Sequence, residues 1–326
     1  MPDASTRPTT DVRIAIAPEP VPAYAVEAVE EAGATIAPLA DAEALVWTSP
    51  AGPDELAATL EQAPNARWVH LRWAGVEDFA RLGLFDPART ARTARTASTG
   101  LTWTCGKGVF AEPVAEHALA LALAGLRQLP ERVRATSWQP QGGQSLYDGR
   151  VTILGAGGIA EKLIELLRPM RTHVTVVRRQ DAPMPGADRT FTVDRITDAV
   201  HEAQVVFVAL ALTPGTDGIV DARVLEAMHP EAWLVNVGRG RHVVTDGLVE
   251  ALSNNTIAGA ALDVTEPEPL PDGHPLWTLP NTLITPHTAN TFEMAVGAMK
   301  QRIVENVRRF AAGEPLVGTV DPRLGY

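Results

Sequence analysis

Between Arg150 and Arg179 the chain runs through an apolar stretch, Val151-Thr152-Ile153-Leu154, then Gly155-Ala156-Gly157-Gly158-Ile159-Ala160, then a helical stretch and a second apolar run, Val174-Thr175-Val176-Val177. Strand, glycine turn, helix and strand in this order build a parallel strand pair around a crossover helix. The turn between them is of the kind that holds a dinucleotide pyrophosphate. Gly155 permits the tight turn, and Gly157 lets the backbone approach the phosphates. Ala160 is small enough for the helix to pack on the strand, and the free N–H groups from Gly158 and Ile159 onward face the anion.

The end of the second strand departs from the usual pattern. A carboxylate that accepts from the ribose hydroxyls belongs about 20 residues past the glycines, and this chain has Arg178-Arg179 there. A carboxylate repels a 2′-phosphate, whereas a guanidinium clamps one bidentately. NADPH is therefore the expected cofactor, with NADH as the possible alternative.

With 326 residues the chain is long enough for two domains, each with its own core. A formal charge of −11 argues against a nucleic-acid surface. The lone Cys105 rules out an internal disulfide framework, and the scattered histidines lack metal-ligand spacing, so no metal is expected. No opening apolar segment resembles a signal peptide, and the most apolar helix, His117 to Leu129, is too short to span a bilayer. A cytoplasmic setting without membrane contact is expected.

From Val12 to Thr104 short strand-like runs alternate with helical stretches, which predicts a parallel sheet with helices on its faces. Within this block, Pro87 to Gly100 is a low-complexity run with Ala-Arg-Thr recurring, read as an exposed loop. A long apolar helix opens near Pro113 and is expected to be buried between two domains. After the glycine unit, strands at Val205–Ala209, Trp233–Val237, Ile257–Leu262 and Leu283–Thr285 continue the alternation. A last helix, Phe292 to Ala312, is expected to return to the first domain. The fold class is α/β, with two doubly wound parallel-sheet domains.

Ligands of such sheets bind beyond the carboxyl ends of the strands. Three residues there have the chemistry needed to reduce a carbonyl beside a carboxylate. Arg239, between two glycines, is a cation for the anionic substrate; His287, after Pro286, is a proton donor; Glu268, in a proline-rich loop, is a carboxylate to hold that donor.

With these come Ala74-Gly75-Val76, Ala115-Glu116-His117, Leu212-Thr213-Pro214-Gly215-Thr216, Asn236-Val237-Gly238-Arg239-Gly240, Leu262-Asp263-Val264, Glu268-Pro269-Leu270 and Pro286-His287. In this order they resemble the NAD(P)-dependent D-2-hydroxyacid dehydrogenase family over nearly the whole chain. The likeness is greatest to the bacterial A-type glyoxylate/hydroxypyruvate reductases, through Ala44-Leu45-Val46-Trp47, Ser137-Trp138-Gln139-Pro140, the Arg239 to Val244 run, Pro271 to Trp277, and the ending Val320 to Tyr326. The resemblance implies a flavodoxin-like substrate domain made of 1–111 and 290–326, with a Rossmann cofactor domain, 112–289, inserted in it. It implies that Arg239 binds the substrate carboxylate and carbonyl, that His287 is the general acid, and that Glu268 orients the imidazole and keeps it charged. The backbone of Ala74, Gly75 and Val76 would form a second carboxylate cradle. Cofactor contacts are implied at Gly155, Gly157, Gly158, Ile159, Arg178, Arg179, Leu210, Ala211, Thr216, Val237, Gly238, Asp263, His287 and Asn290. The partners implied are a small 2-oxo acid and, through the Ser137-Trp138 arm, a second copy of the chain in a homodimer.

The chain departs from the family pattern at Ala211, at Thr288-Ala289-Asn290, at Arg72-Trp73 and at Gly106-Lys107-Gly108. Two other readings stay open: a phosphoglycerate-dehydrogenase-like enzyme, disfavoured by Arg178-Arg179 and by the expectation of no regulatory domain after Tyr326, and a nucleotide-sensing corepressor-like protein.

Overall fold

A computed structural model describes residues 11–49, 52–86 and 100–326. The Ala-Arg-Thr run lies outside the described residues. The chain forms two compact units, one made of Met1–Phe110 with Phe292–Tyr326 and the other of Ala111–Thr291.

The first unit holds five parallel strands in the order β2-β1-β3-β4-β5: β1 (Arg13–Ala17), β2 (Thr35–Ile36), β3 (Ala44–Trp47), β4 (Trp68–Leu71) and β5 (Thr102–Thr104). Every residue of β3 and β4 is buried. A central strand of a parallel sheet is covered on both faces and so needs a continuous apolar run rather than an alternating one. On one face, Leu45, Leu56, Leu60, Val69 and Phe79 join β3 and β4 to helices α2 (Pro53–Glu61) and α3 (Glu77–Arg81). On the other, α1 (Ala23–Glu31) packs against the long helix Phe292–Ala312. Tyr24 meets Phe292 edge-on at 5.8 Å between ring centroids, Phe310 lies 5.3 Å from Trp68, and Lys300 reaches Glu27 and Glu31 at 2.9 and 3.2 Å. The buried Asn306 exchanges two hydrogen bonds with the backbone of Val317, fixing the segment after that helix.

The second unit begins with α4 (Ala111–Leu126), which breaks at Gln128 (φ 54°) before the short α5 (Leu129–Arg134). Its sheet has seven parallel strands, β12-β11-β10-β9-β6-β7-β8. They are β6 (Arg150–Leu154), β7 (His173–Arg178), β8 (Arg189–Thr192), β9 (Val205–Val208), β10 (Trp233–Asn236), β11 (Gly259–Leu262) and β12 (Thr282–Ile284). Helices α6 (Gly158–Leu167), α7 (Ile196–Val200), α8 (Ala222–Ala227) and α9 (Thr245–Ser253) connect them. The buried face of the apolar α4 is accounted for within this unit, against α6, β10 and β11. Gly125 and Gly259 both lie against the Trp233 ring, where a Cβ would come within 2.4 and 2.5 Å of it, so two glycines make room for one indole. Among the described residues no helix is long and apolar enough to cross a membrane.

Strand order reverses between β6, first in sequence, and β9 beside it, and ligands of doubly wound sheets bind at such a switch point.

Candidate active site

Gly155 stands at the switch point with φ 120°, and a Cβ there would lie 2.4 Å from the Ala209 carbonyl oxygen at the end of β9. Only glycine fits both the dihedral and the space. Gly157 is different. Nothing of the protein lies within 4 Å of where its Cβ would be, and no side chain caps the helix that follows. The open space over an uncapped helix N-terminus fits a pyrophosphate, because the first N–H groups of a helix have no partner within it. Ala160 is fully buried, as the packing of α6 on the sheet requires. The Oδ1 atom of Asn290 is buried without a hydrogen-bond partner, a second place where a bound cofactor would satisfy the protein.

Arg178 closes β7 and Arg179 follows it. The Arg178 Nη1 donates to the carbonyls of Ala182 and Pro183, both at 3.4 Å, so this guanidinium leans on its own loop, whereas Arg179 is exposed. Thr216 is committed elsewhere: its hydroxyl donates to the Ala211 carbonyl at 2.7 Å and accepts from the Thr213 N–H at 2.8 Å, closing the loop after Leu210. The half-buried Leu210 and the exposed Ala211 lie in the segment after β9.

Beyond β10, Val237 and Gly238 are buried and lead to Arg239. Asn236 steadies this turn, its Oδ1 accepting from the Gly238 N–H at 3.1 Å and its Nδ2 donating to the Arg239 carbonyl at 2.9 Å. Gly240 presses so closely on the Thr265 carbonyl that a Cβ would overlap it.

Asp263 follows β11 and controls the segment after β12. Its Oδ1 accepts from the Thr285 hydroxyl at 2.6 Å and the Thr288 N–H at 2.9 Å, and its Oδ2 from the Ala289 N–H at 3.0 Å. Since the single Thr285 hydroxyl proton goes to Asp263, the His117 ring, 3.1 Å from that oxygen, must donate through Nε2. Burial works to raise the Asp263 carboxyl, but hydrogen bonds from His117, Thr285 and the two backbone N–H groups outweigh it and hold it down at about 2. The Asp263 carbonyl accepts the His287 N–H at 2.8 Å, and His287 sits in the left-handed region with φ 50°.

His287 and Glu268 meet, with Nδ1 of the ring 2.6 Å from Oε1 of the carboxylate. The Glu268 loop is tied down by Thr245 donating to the Glu266 carbonyl at 2.6 Å and Thr265 to that of Pro267 at 2.9 Å. His287, Asp263, Arg239, Leu210, Gly155 and Arg178 follow β12, β11, β10, β9, β6 and β7 in turn or close them, along the carboxyl edge of one sheet. The edge from β12 to β7 spans ~24 Å at a spacing of about 4.8 Å per strand.

In the first unit, Ala74, Gly75 and Val76 lie between the end of β4 and α3, with Ala74 exposed and Val76 buried. Trp73 beside them is held between the Arg72 guanidinium, 4.7 Å away, and the Phe110 ring, 5.3 Å away. Lys107 lies over the Tyr326 ring at 5.1 Å.

Residues 117–289 match the model of the NAD binding domain of the D-isomer specific 2-hydroxyacid dehydrogenases. The chain belongs to this family. It is an enzyme, a nicotinamide-dependent 2-hydroxyacid dehydrogenase. An uncharacterised protein from the proB 3′ region of Corynebacterium melassecola is 41% identical over 268 residues, 80% of this chain and 84% of that one. The human glyoxylate reductase/hydroxypyruvate reductase is 32% identical over 217 residues, 64% of this chain and 66% of its own. A D-isomer specific 2-hydroxyacid dehydrogenase from Xanthobacter autotrophicus Py2, solved with NADPH and MES, superposes with a TM-score of 0.80 at 25% identity, covering 98% of this chain and all of that one. The dehydrogenase fold thus extends over both units.

Residue types alone did not single out four of the residues that build the site. Asn236, His117 and His242 lie inside motifs that assign them no role, and Thr285 stands only as the end of a strand. The spacing from Arg239 to His242, one tight helical turn, was the available signal for His242.

Proposed function

We propose that this enzyme reduces small 2-oxo acids of the glyoxylate and hydroxypyruvate kind to D-2-hydroxy acids, with NADPH preferred over NADH. The observation that carries the chemistry is the 2.6 Å contact of His287 and Glu268 on the same sheet edge as Arg239. Arg239 offers a bidentate cation to the 2-oxo acid. Glu268 occupies Nδ1 of His287, leaving Nε2 to deliver a proton to the carbonyl oxygen. A bound reduced nicotinamide supplies the hydride. Asp263 and Asn290 would hold its carboxamide end, and Gly155 to Ile159 its pyrophosphate. Backbone N–H groups of Ala74, Gly75 and Val76 are assigned to a substrate carboxylate.

NADPH preference rests on Arg178 and Arg179 at the end of β7, and is supported by the NADPH held by the Xanthobacter relative. Arg178 braces the loop and Arg179 is the phosphate ligand. Charge-assisted bonds of about 1.5–3 kcal/mol, partly screened by water, support a preference on the order of 10²-fold. Measuring kcat/KM for a panel of 2-oxo acids with each cofactor tests both parts. No turnover with any 2-oxo acid would refute the reductase, and equal or better use of NADH would refute the preference. Replacing Arg178 by Asp and Arg179 by Ala should remove the NADPH advantage.

The enzyme is also proposed to work in the cytoplasm as a homodimer. Trp138 is 99% and Val133 81% exposed, with Leu129 and Tyr147 half exposed nearby in sequence, so this arm carries apolar surface that its own chain leaves in water. Sedimentation as a monomer at working concentration would refute the dimer.

A further inference from the structure

The side chain of Arg239 is held to its task by a backbone fixed at both polar atoms. Asn236 donates to its carbonyl at 2.9 Å, and the N–H of Arg239 donates to Nδ1 of His242 at 3.0 Å. His242 ends the single helical turn Gly240–His242 and is fully buried, and its own N–H returns to the Arg239 carbonyl at 3.1 Å. The ring lies flush against the turn, for a Cβ on Gly238 would come within 3.0 Å of Nδ1. Because Nδ1 accepts, the ring is the neutral Nε2–H tautomer.

We propose that His242 is a positioning residue for Arg239, with its ring nitrogen setting the direction in which the guanidinium leaves the β10 turn. The proposal rests on Arg239 being the cation that binds the 2-oxo acid. An apolar side chain of similar size would fill the same space but leave the partly buried Arg239 N–H without this acceptor. The turn would then relax, and a displacement on the order of 1 Å at a group that orients the substrate costs up to about 10²-fold in rate.

The test compares purified full-length variants with NADPH and glyoxylate. The amide oxygen of Asn sits where Nδ1 does, so His242→Asn retains the acceptor although it loses volume, whereas His242→Leu retains volume and loses the acceptor. His242→Leu should raise the glyoxylate KM and lower kcat/KM by about 10- to 10²-fold, with the NADPH Kd from fluorescence titration unchanged. His242→Asn should recover most of that loss even if its Tm is the lower of the two. Activity that follows Tm rather than the acceptor would overturn the proposal, as would a His242→Leu enzyme with wild-type kcat/KM. Should His242→Leu not fold, His242→Gln replaces it, since its oxygen lies one bond too far; equal activity of the Asn and Gln variants, or failure of all three to fold, also overturns it. A wild-type enzyme that reduces no 2-oxo acid removes the underlying assignment of Arg239, an outcome distinct from the others.

Discussion

His287 holds a left-handed backbone that a branched or bulky residue rarely adopts, at φ 50°, and Asp263 is what keeps it there. Such a conformation costs about 1–3 kcal/mol unless the surroundings over-determine it. Here one residue supplies a carbonyl to the His287 N–H and a carboxylate to the next two N–H groups. Asp263→Asn puts an amide N–H where an acceptor is needed, so it should lower stability by roughly 1–3 kcal/mol and reduce kcat more than it raises the NADPH Kd. Urea unfolding and steady-state kinetics on one preparation check this, and an unchanged kcat would mean that the loop holds its shape without the carboxylate. None of this was legible from residue types, because two of the partners are backbone N–H groups, which any residue provides. Arg239, Glu268 and His287 were legible because their motifs occur in a fixed order; singly, each is an ordinary loop residue.

At the scale of elements, the buried central strands were the most legible part, since β3 and β9 are apolar runs of four residues and β4 and β10 are apolar but for His70 and Asn236. The edge strand β8, Arg189-Thr190-Phe191-Thr192, was not, because it has no fully buried residue and so no apolar pattern to betray it. The long apolar helix was expected as one piece from Pro113 to Leu129, but turns at Gln128, just ahead of Pro130 in the first turn of the next helix. The glycine turn after β6 is the element on which cofactor binding depends. Gly155→Ala would need φ 120° and would place a methyl 2.4 Å from the Ala209 carbonyl oxygen. It should destabilise by well over ~1 kcal/mol and abolish NADPH binding. Thermal unfolding with and without NADPH reads both effects, and a variant whose Tm still rises with NADPH would contradict the role given to this turn.

For the molecule as a whole, stability should decline in mild acid through a histidine far from the chemistry. His70 is buried in the first unit, where Trp68 Nε1 donates to Thr104 Oγ1 at 2.8 Å and that oxygen is hydrogen-bonded to His70 Nδ1 at 2.9 Å. Burial, aided by the charge of Arg302, pushes the imidazole down to about 3. The unfolded chain takes up the proton near pH 6.5, so this contribution is fully present above about 6.5 and is lost as pH falls towards 3. Between pH 6.5 and pH 5 the loss should be on the order of 1–2 kcal/mol, and His70→Asn, which retains a hydrogen-bonding group but not the titration, should flatten that part of a urea-midpoint profile. Asp263 adds a later loss, as pH falls below ~3.8 towards 2.

The most direct test of the account is the reduction of glyoxylate by NADPH in single-turnover mixing, comparing the wild type with His287→Ala at equal NADPH occupancy. The wild type should oxidise NADPH in one enzyme-dependent phase. The variant should still bind NADPH and react about 10²- to 10⁴-fold more slowly, the usual cost of removing a general acid. A His287→Ala enzyme that reduces glyoxylate at the wild-type rate would contradict the assignment of the proton donor and, with it, the mechanism built on the carboxyl edge of this sheet.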